Sequence, residues 1–303
     1  MKGYHNDRAT QPFNSVGSLG LPALALASAS ASARQGSSPD DVAEAQAASD
    51  HIPFDGHIDV GGRHLHIYAT GSGGPTVILE ADDGDDWSTW RLVQPMVAEF
   101  ARVCSYDRAG LGESDPAPAP RTAADVVADL HALLDAAAVP GPYVQVGASF
   151  GGMIIRLFAN TYPDEVAGLV LADAVHEDYF DRLRAIAPEQ TDQLTQLLAS
   201  MPEGVDLAAS CAQVRDAAPL PAVPMVVIVR GQQDFPPLEP NAETESLWQE
   251  LTRDMATLTQ DAQLVVADRS GHAVNHYQPE IVAESIRRVV EAVRTPSSWT
   301  ADT

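Results

Sequence analysis

Tyr143-Val144-Gln145-Val146-Gly147-Ala148-Ser149-Phe150-Gly151-Gly152 is the stretch from which the rest of the chain can be read. A short apolar run of β-type composition leads into Gly-x-Ser-x-Gly, and an amphipathic run follows over 153–162. That order predicts a strand, a sharp turn and a helix. Gly147 and Gly151 stand two residues either side of Ser149, where a Cβ would clash as strand folds back onto helix. The turn pushes the Ser149 hydroxyl out at the top of a sheet. It also aims the helix N-terminus, with its free N–H groups and positive dipole end, at any negative charge that develops there. A bare Gly-x-Ser-x-Gly also occurs by chance around loop serines; the flanking strand and helix give this one its weight.

Outward from that stretch, strands and helices alternate. Upstream, a hairpin is expected over 57–60 and 63–69 across Gly61-Gly62, then a buried strand over 76–80, an amphipathic helix over 87–100 and a strand over 102–106. Thr122 with Asp125 caps a helix running to about Ala138. Downstream come a strand over 166–172, a strand over 225–229, a helix over 241–258, a strand over 264–267 and a helix over 279–294. Continuous apolar strands alternating with helices imply an α/β fold, a mostly parallel, doubly wound sheet covered on both faces. Residues 175–221 break the alternation with polar, helix-like segments cut by Pro188, Pro202 and Gly204, and read as an inserted helical cap. The expected organisation is therefore an extension over 1–50, a core over 51–174 and 222–295, and a cap over 175–221.

Composition narrows the partners. The 303 residues, 45% of them hydrophobic, suffice for one large domain or two small ones. The formal net charge is -24, and Lys2 is the single lysine. Phosphates would be repelled rather than steered in, which argues against nucleic acid and against an anionic membrane surface. Such a composition fits a salty habitat and a GC-rich genome equally. Cys104 and Cys211 make no disulfide framework, and Cys104, inside a strand, reads as a small buried apolar residue.

The first fifty residues differ from the rest. The segment 14–33 is apolar in its first half and Ala/Ser-rich in its second, preceded by Lys2 and Arg8. Ala29-Ser30-Ala31 or Ala31-Ser32-Ala33 offers an A-x-A cleavage site, so 1–33 has the form of a signal peptide. Asp7, and Gly and Pro within the apolar part, fit a disordered extension instead. Export and a cytoplasmic location both stand. No stretch reaches transmembrane length, so no stable membrane insertion is expected.

The segments TVILE, YDRAGLGESD, VQVGASFGG, VAGLVLADAV, RGQQD and DRSGH, in this order, resemble the α/β-hydrolase fold superfamily and specifically its capped serine-hydrolase branch. The resemblance covers about residues 54–294. It implies a triad in the chain order serine, acid, histidine. Ser149 would be the nucleophile, and an alcohol needs a base within hydrogen-bond reach at neutral pH. His272, in Arg269-Ser270-Gly271-His272 after the last strand, stands where the family places that base. Asp234, in Arg230-Gly231-Gln232-Gln233-Asp234, is at the family's usual acid position; Asp173, at the end of the preceding core strand, is the alternative used by some relatives. The oxyanion hole would use the N–H groups of Phe150 and Asp82. Here the chain departs from the pattern. Relatives carry small residues where this chain has Glu80-Ala81-Asp82-Asp83-Gly84-Asp85-Asp86, so those carboxylates must turn outward or the hole is impaired.

The acidic run lacks the ligand spacing of an EF-hand calcium loop and reads as a solvated loop. His64 and His66, on one face of a strand, read as exposed hairpin residues rather than a metal site. Arg108 and Gly110 are expected to shape the loop after their strand. Tyr179, Phe180, Leu194, Leu197 and Leu198 belong to the cap, one or two of them lining an apolar pocket. The resemblance thus implies a serine hydrolase of small-molecule carboxylic esters or lactones, with no cofactor and no metal; the sequence leaves the oligomeric state open. Perhydrolysis, C–C bond hydrolysis and aminopeptidase chemistry can run on the same triad, and a small-molecule receptor with an idle triad is the alternative from outside the enzymes.

Overall fold

A computed structural model describes residues 54–217, 219–233, 241–260, 262–296 and 299. The leader readings of residues 1–50 lie outside the described residues, as does Asp234.

Eight strands form one sheet. β1 (Phe54–Asp59) and β2 (His64–Thr70) pair antiparallel as the expected hairpin. Its turn glycines, Gly61 and Gly62, adopt φ of 98° and 101°, a region that residues with a Cβ avoid. β2 pairs antiparallel with β4 (Val103–Tyr106). The remaining strands are parallel: β3 (Thr76–Glu80), β5 (Tyr143–Ala148), β6 (Val166–Ala172), β7 (Met225–Arg230) and β8 (Gln263–Ala267). The order across the sheet is β1-β2-β4-β3-β5-β6-β7-β8.

β3, β4, β5 and β7 are buried at every position, as unbroken apolar runs require when both sheet faces are covered. Alternate side chains serve opposite layers. Leu169 and Leu171 pack with α2 (Ala123–Ala136) and α3 (Phe150–Thr161), whereas Val170 and Ala172 pack with α1 (Gln94–Ala98) and α9 (Pro279–Arg294). The Thr122 and Asp125 capping box is present at the head of α2, Asp125 Oδ2 accepting the Thr122 N–H at 2.8 Å.

One expected helix is divided. Instead of a single helix over 87–100 there is a 3-10 turn, Trp87–Trp90, and then the short α1. Pro95 is the cause: it lacks an N–H and its ring clashes with the carbonyl four residues back, so it opens a helix and cannot lie inside one.

Three helices stand between β6 and β7: α4 (Tyr179–Ile186), α5 (Pro188–Ala199) and α6 (Leu207–Arg215). The expected breakers divide them. Pro188 is the first residue of α5, and Gly204, at φ 62°, turns the chain between α5 and α6. Beyond β7 come α7 (Ala242–Met255) and α8 (Val274–Tyr277). Residues leaving the carboxyl ends of β3, β5, β6 and β8 converge at one edge of the sheet, where open α/β sheets form their crevice.

Candidate active site

Ser149 sits between β5 and α3 with φ 49° and ψ -116°, a strained conformation for a residue with a Cβ. The flanking glycines permit it. A Cβ on Gly147 would overlap the Gly151 carbonyl, and one on Gly151 would lie 2.5 Å from the Glu80 carbonyl oxygen. The turn therefore packs against the end of β3 as closely as the chain allows.

His272 stands beside it. Its Nε2 is 2.9 Å from Ser149 Oγ, and its Nδ1 is 2.7 Å from Asp173 Oδ2. Among the described residues, the carboxylate on His272 Nδ1 is that of Asp173, the alternative acid. Asp173 follows β6 at φ 46° and is wholly buried. Its backbone N–H donates to the Ile228 carbonyl at 2.8 Å, which fixes the residue against β7. The Arg230 N–H donates to Asp173 Oδ1 at 3.1 Å, and Trp248 Nε1–H donates to the same oxygen at 2.9 Å. Arg230 Nη1 donates to Oδ2 at 3.0 Å. With His272 these donors occupy the lone pairs of a carboxylate and hold it ionised. Burial alone would raise its pKa, but the His272 hydrogen bond and the Arg230 charge keep it below the usual carboxylate range.

Arg230 and Trp248 were not singled out in the sequence. Arg230 closes the apolar strand MVVIVR, and a lone arginine at the carboxyl end of a buried strand was the available signal. Its guanidinium stacks 4.6 Å from the Trp248 ring and pairs with Glu245 at 2.6 Å. Trp248 also meets His272 edge to face, with centroids 5.2 Å apart. No periodicity reveals such a tertiary cluster.

The acidic run does not turn away from the serine. Asp82 Oδ1 accepts the Phe150 N–H at 3.3 Å and the Asp83 N–H at 2.7 Å, and Oδ2 lies 3.4 Å from His272 Nε2. Burial would raise the Asp82 pKa, but hydrogen bonds from His272 and Ser149 and the imidazolium charge lower it. Burial would likewise lower the His272 pKa, but hydrogen bonds to Asp173 and Asp82, and both their charges, push it up to about 9.

Arg108 does more than shape a local loop. Nη1 donates to Glu80 Oε1 at 2.8 Å and to the Ala81 carbonyl at 2.7 Å, and Nη2 donates to the Asp82 carbonyl at 2.5 Å. Nε and Nη2 donate to Glu203, between α5 and α6, at 2.7 and 2.8 Å. The backbone that carries Asp82 is thereby clamped to a buried cation. Asp83 behaves differently from its neighbour: burial and the adjacent Glu203 push its carboxyl up to about 8.

A cavity of about 140 Å³ opens on Ser149 and His272. Its apolar side is built by Tyr179, Phe180, Leu194, Leu197, Leu198 and Met201, so five residues expected in the inserted segment line it rather than one or two. The histidine expectation also changes for β2. His64 is exposed, but His66 is buried, with Nδ1 2.9 Å from Asp107 Oδ2 and Nε2 2.8 Å from Asp55 Oδ1. It ties the hairpin to the loop after β4. Cys104 and Cys211 are free and buried.

A family model of the alpha/beta hydrolase fold matches residues 73–250, more than half of the chain. The chain belongs to that family. An uncharacterized protein of Bacillus subtilis, YqjL, is 28% identical to this hydrolase-fold chain over 213 residues, 70% of the chain and 82% of the relative. A thermophilic esterase from Thermogutta terrifontis shares the fold with a TM-score of 0.58 at 23% identity, over 80% of this chain and 100% of that one. An enol-lactonase from Burkholderia xenovorans does so with a TM-score of 0.57 at 19% identity, over 78% of this chain and 100% of the other. Among the described residues of this hydrolase-fold protein, no helix is long and apolar enough to cross a membrane.

Proposed function

We propose that this chain is a serine hydrolase of carboxylic esters or lactones, with Ser149, His272 and Asp173 as its triad. The observation that carries the reading is the continuous relay from Ser149 Oγ to His272 Nε2 at 2.9 Å and from His272 Nδ1 to Asp173 at 2.7 Å. Ser149 Oγ attacks the carbonyl carbon as neutral His272 takes its proton, and the carbonyl π pair moves onto oxygen. The Phe150 and Asp82 N–H groups are the donors for that oxygen. Collapse breaks the bond to the alkoxy group, which leaves with the proton from His272. Water then adds to the acyl-enzyme by the same steps, releasing the carboxylic acid and restoring the serine. Asp173 holds the histidine tautomer and balances the imidazolium throughout.

The segment 175–221 acts in this reading as a cap that receives the acyl group. The apolar lining from α4 and α5 supports that role, and supports small apolar acyl groups over charged ones. A second reading, a small-molecule receptor with an idle triad, draws support from Asp82, whose carboxylate takes the Phe150 N–H. Fluorophosphonate labelling and turnover of a panel of p-nitrophenyl esters and lactones separate the two. Ser149→Ala is expected to abolish both labelling and turnover while circular dichroism is unchanged, because a hydroxyl alone is lost. Parent-level turnover in that variant would remove the serine-hydrolase reading.

A further inference from the structure

The place where a substrate's oxyanion would stand is filled by the chain itself. Asp82 Oδ1 accepts the Phe150 N–H at 3.3 Å, and its other oxygen lies 3.4 Å from His272 Nε2. The two oxygens of one carboxylate, sharing a single negative charge, are therefore arranged about the elbow much as a tetrahedral intermediate's oxyanion and leaving-group oxygen would be, one on the helix N–H and one on the histidine. This is no loose surface residue. Its carbonyl accepts from Arg108 Nη2, and the preceding carbonyl accepts from Arg108 Nη1, so the backbone behind the carboxylate is held by a buried guanidinium. The Asp83 N–H also donates to Oδ1 at 2.7 Å, so any movement is a rotation of the side chain that gives up this bond and the one from Phe150.

We propose that Asp82 is the gate of this active site: its carboxylate stands in for the oxyanion at rest, pairs with His272, and must leave the Phe150 N–H before an ester carbonyl can be attacked. The inference rests on the serine-hydrolase reading above. While Asp82 is in place, a carbonyl oxygen has no donor at Phe150, and negative charge developing there is opposed rather than stabilised. The same carboxylate holds a proton on the histidine that should act as base.

The groups around the gate come from every neighbouring loop. Asp83 and Asp85 lie on its own loop, with Glu203 beyond Asp83. Ser149 and Phe150 face it from the elbow. His272 faces it across the site, itself flanked by Asp173, Arg230 and Trp248. Among these, Asp173 keeps Arg230 and Trp248 as partners whatever Asp82 does, so Asp82 is the removable half of the charge on His272. Burial would lower the histidine's pKa, but hydrogen bonds to both acids and their charges push it up to about 9. It is then largely protonated at neutral pH, and each unit by which its pKa falls gives about tenfold more neutral base.

The test compares the full-length parent with Asp82→Gly, Asp82→Asn and Asp85→Asn. His272 is titrated by NMR of its imidazole, and fluorophosphonate labelling and kcat/KM for p-nitrophenyl butyrate are followed from about pH 6 to about pH 10. Asp82→Gly opens the hole and removes the charge. It is expected to move the His272 titration toward the ordinary histidine range and to raise the labelling rate and kcat/KM at neutral pH by about tenfold or more. Asp82→Asn keeps the shape without the charge, so it moves the titration as far but leaves the hole filled and raises the rate less. Asp85→Asn removes a charge from the same loop and leaves titration and rates at parent values. An unmoved His272 titration in the folded Asn variant, or parent rates in Asp82→Gly, overturns the gate. A titration that moves while neither parent nor Asp82→Gly labels at Ser149 removes the hydrolase reading and the gate's role with it.

Discussion

Asp173 gives His272 a partner whose remaining lone pairs are already taken by Arg230 and Trp248. A carboxylate so bound cannot rotate away from the imidazole, and its proton affinity stays low. Asp173→Asn is expected to lower kcat by about 10⁴-fold, the loss that follows when an amide fails to hold the histidine tautomer. Asp234→Asn is expected to leave kcat within a factor of a few. Steady-state kinetics on both variants, with circular dichroism to confirm folding, decides between the two acids; the opposite ranking would return the role to Asp234. The resemblance ranks Asp234 first, because it stands at the family's usual acid position after its strand, and Asp234 itself lies outside the described residues. What the sequence does not show is the support for Asp173: Trp248 and Arg230 reach it only once α7 has packed against β7. The elbow was legible for the opposite reason. Gly147, Ser149 and Gly151 satisfy a constraint that is nearly local, a turn too tight for a Cβ. The side-chain direction of Asp82 was not legible, because Arg108 fixes its backbone from the loop after β4.

At the scale of elements, the helices between β6 and β7 contribute one wall of the site and almost none of its polar chemistry. The punctuation of that segment was readable: Pro188 starts α5 and Gly204 turns the chain toward α6. The apolar side of the cavity was less so, because α4 and α5 each look amphipathic alone and show a common face only when paired. The apolar periodicity over 87–100 reads as one helix, and Pro95 is the residue that divides it. Glu203 links the inserted segment to the core, receiving Arg108 and the Gly84 N–H at 2.8 Å. That anchor lies between α5 and α6, and α4 and α5 meet the cavity by apolar contact. Phe180, half-buried on α4, can be truncated to enlarge the pocket at less cost to folding than the buried Tyr179 or Leu194. Phe180→Ala is expected to shift preference toward longer acyl chains, raising the ratio of kcat/KM for p-nitrophenyl octanoate over acetate by about tenfold, within the ~1–3 kcal/mol that a methylene-scale change in a hydrophobic pocket is worth. Fluorophosphonate labelling of Ser149 should persist. An unchanged ratio would mean that this wall does not receive the acyl group.

Over the whole molecule, a formal charge of -24 surrounds a site that already contains Asp82 and Asp83. The two sources of negative potential differ in range, and salt distinguishes them. At about 0.01 M salt the Debye length is about 30 Å, so the summed field of the chain repels an anionic substrate well before contact; at about 1 M it is about 3 Å and the distant charges are silent. Asp82 lies within hydrogen-bond reach of the reacting atoms and is screened far less. For a p-nitrophenyl ester whose acyl chain ends in a carboxylate, kcat/KM is therefore expected to rise by about tenfold or more between those salt concentrations, as steering effects of this kind do. The corresponding neutral ester should change little. Asp82→Gly should raise turnover of both esters at every salt concentration while leaving the salt slope of the anionic one nearly as steep, because one charge among many has been removed from the distant field but the whole of the local obstacle is gone. Parallel salt profiles for the anionic and neutral esters would show that the acidity of the chain does not reach the site.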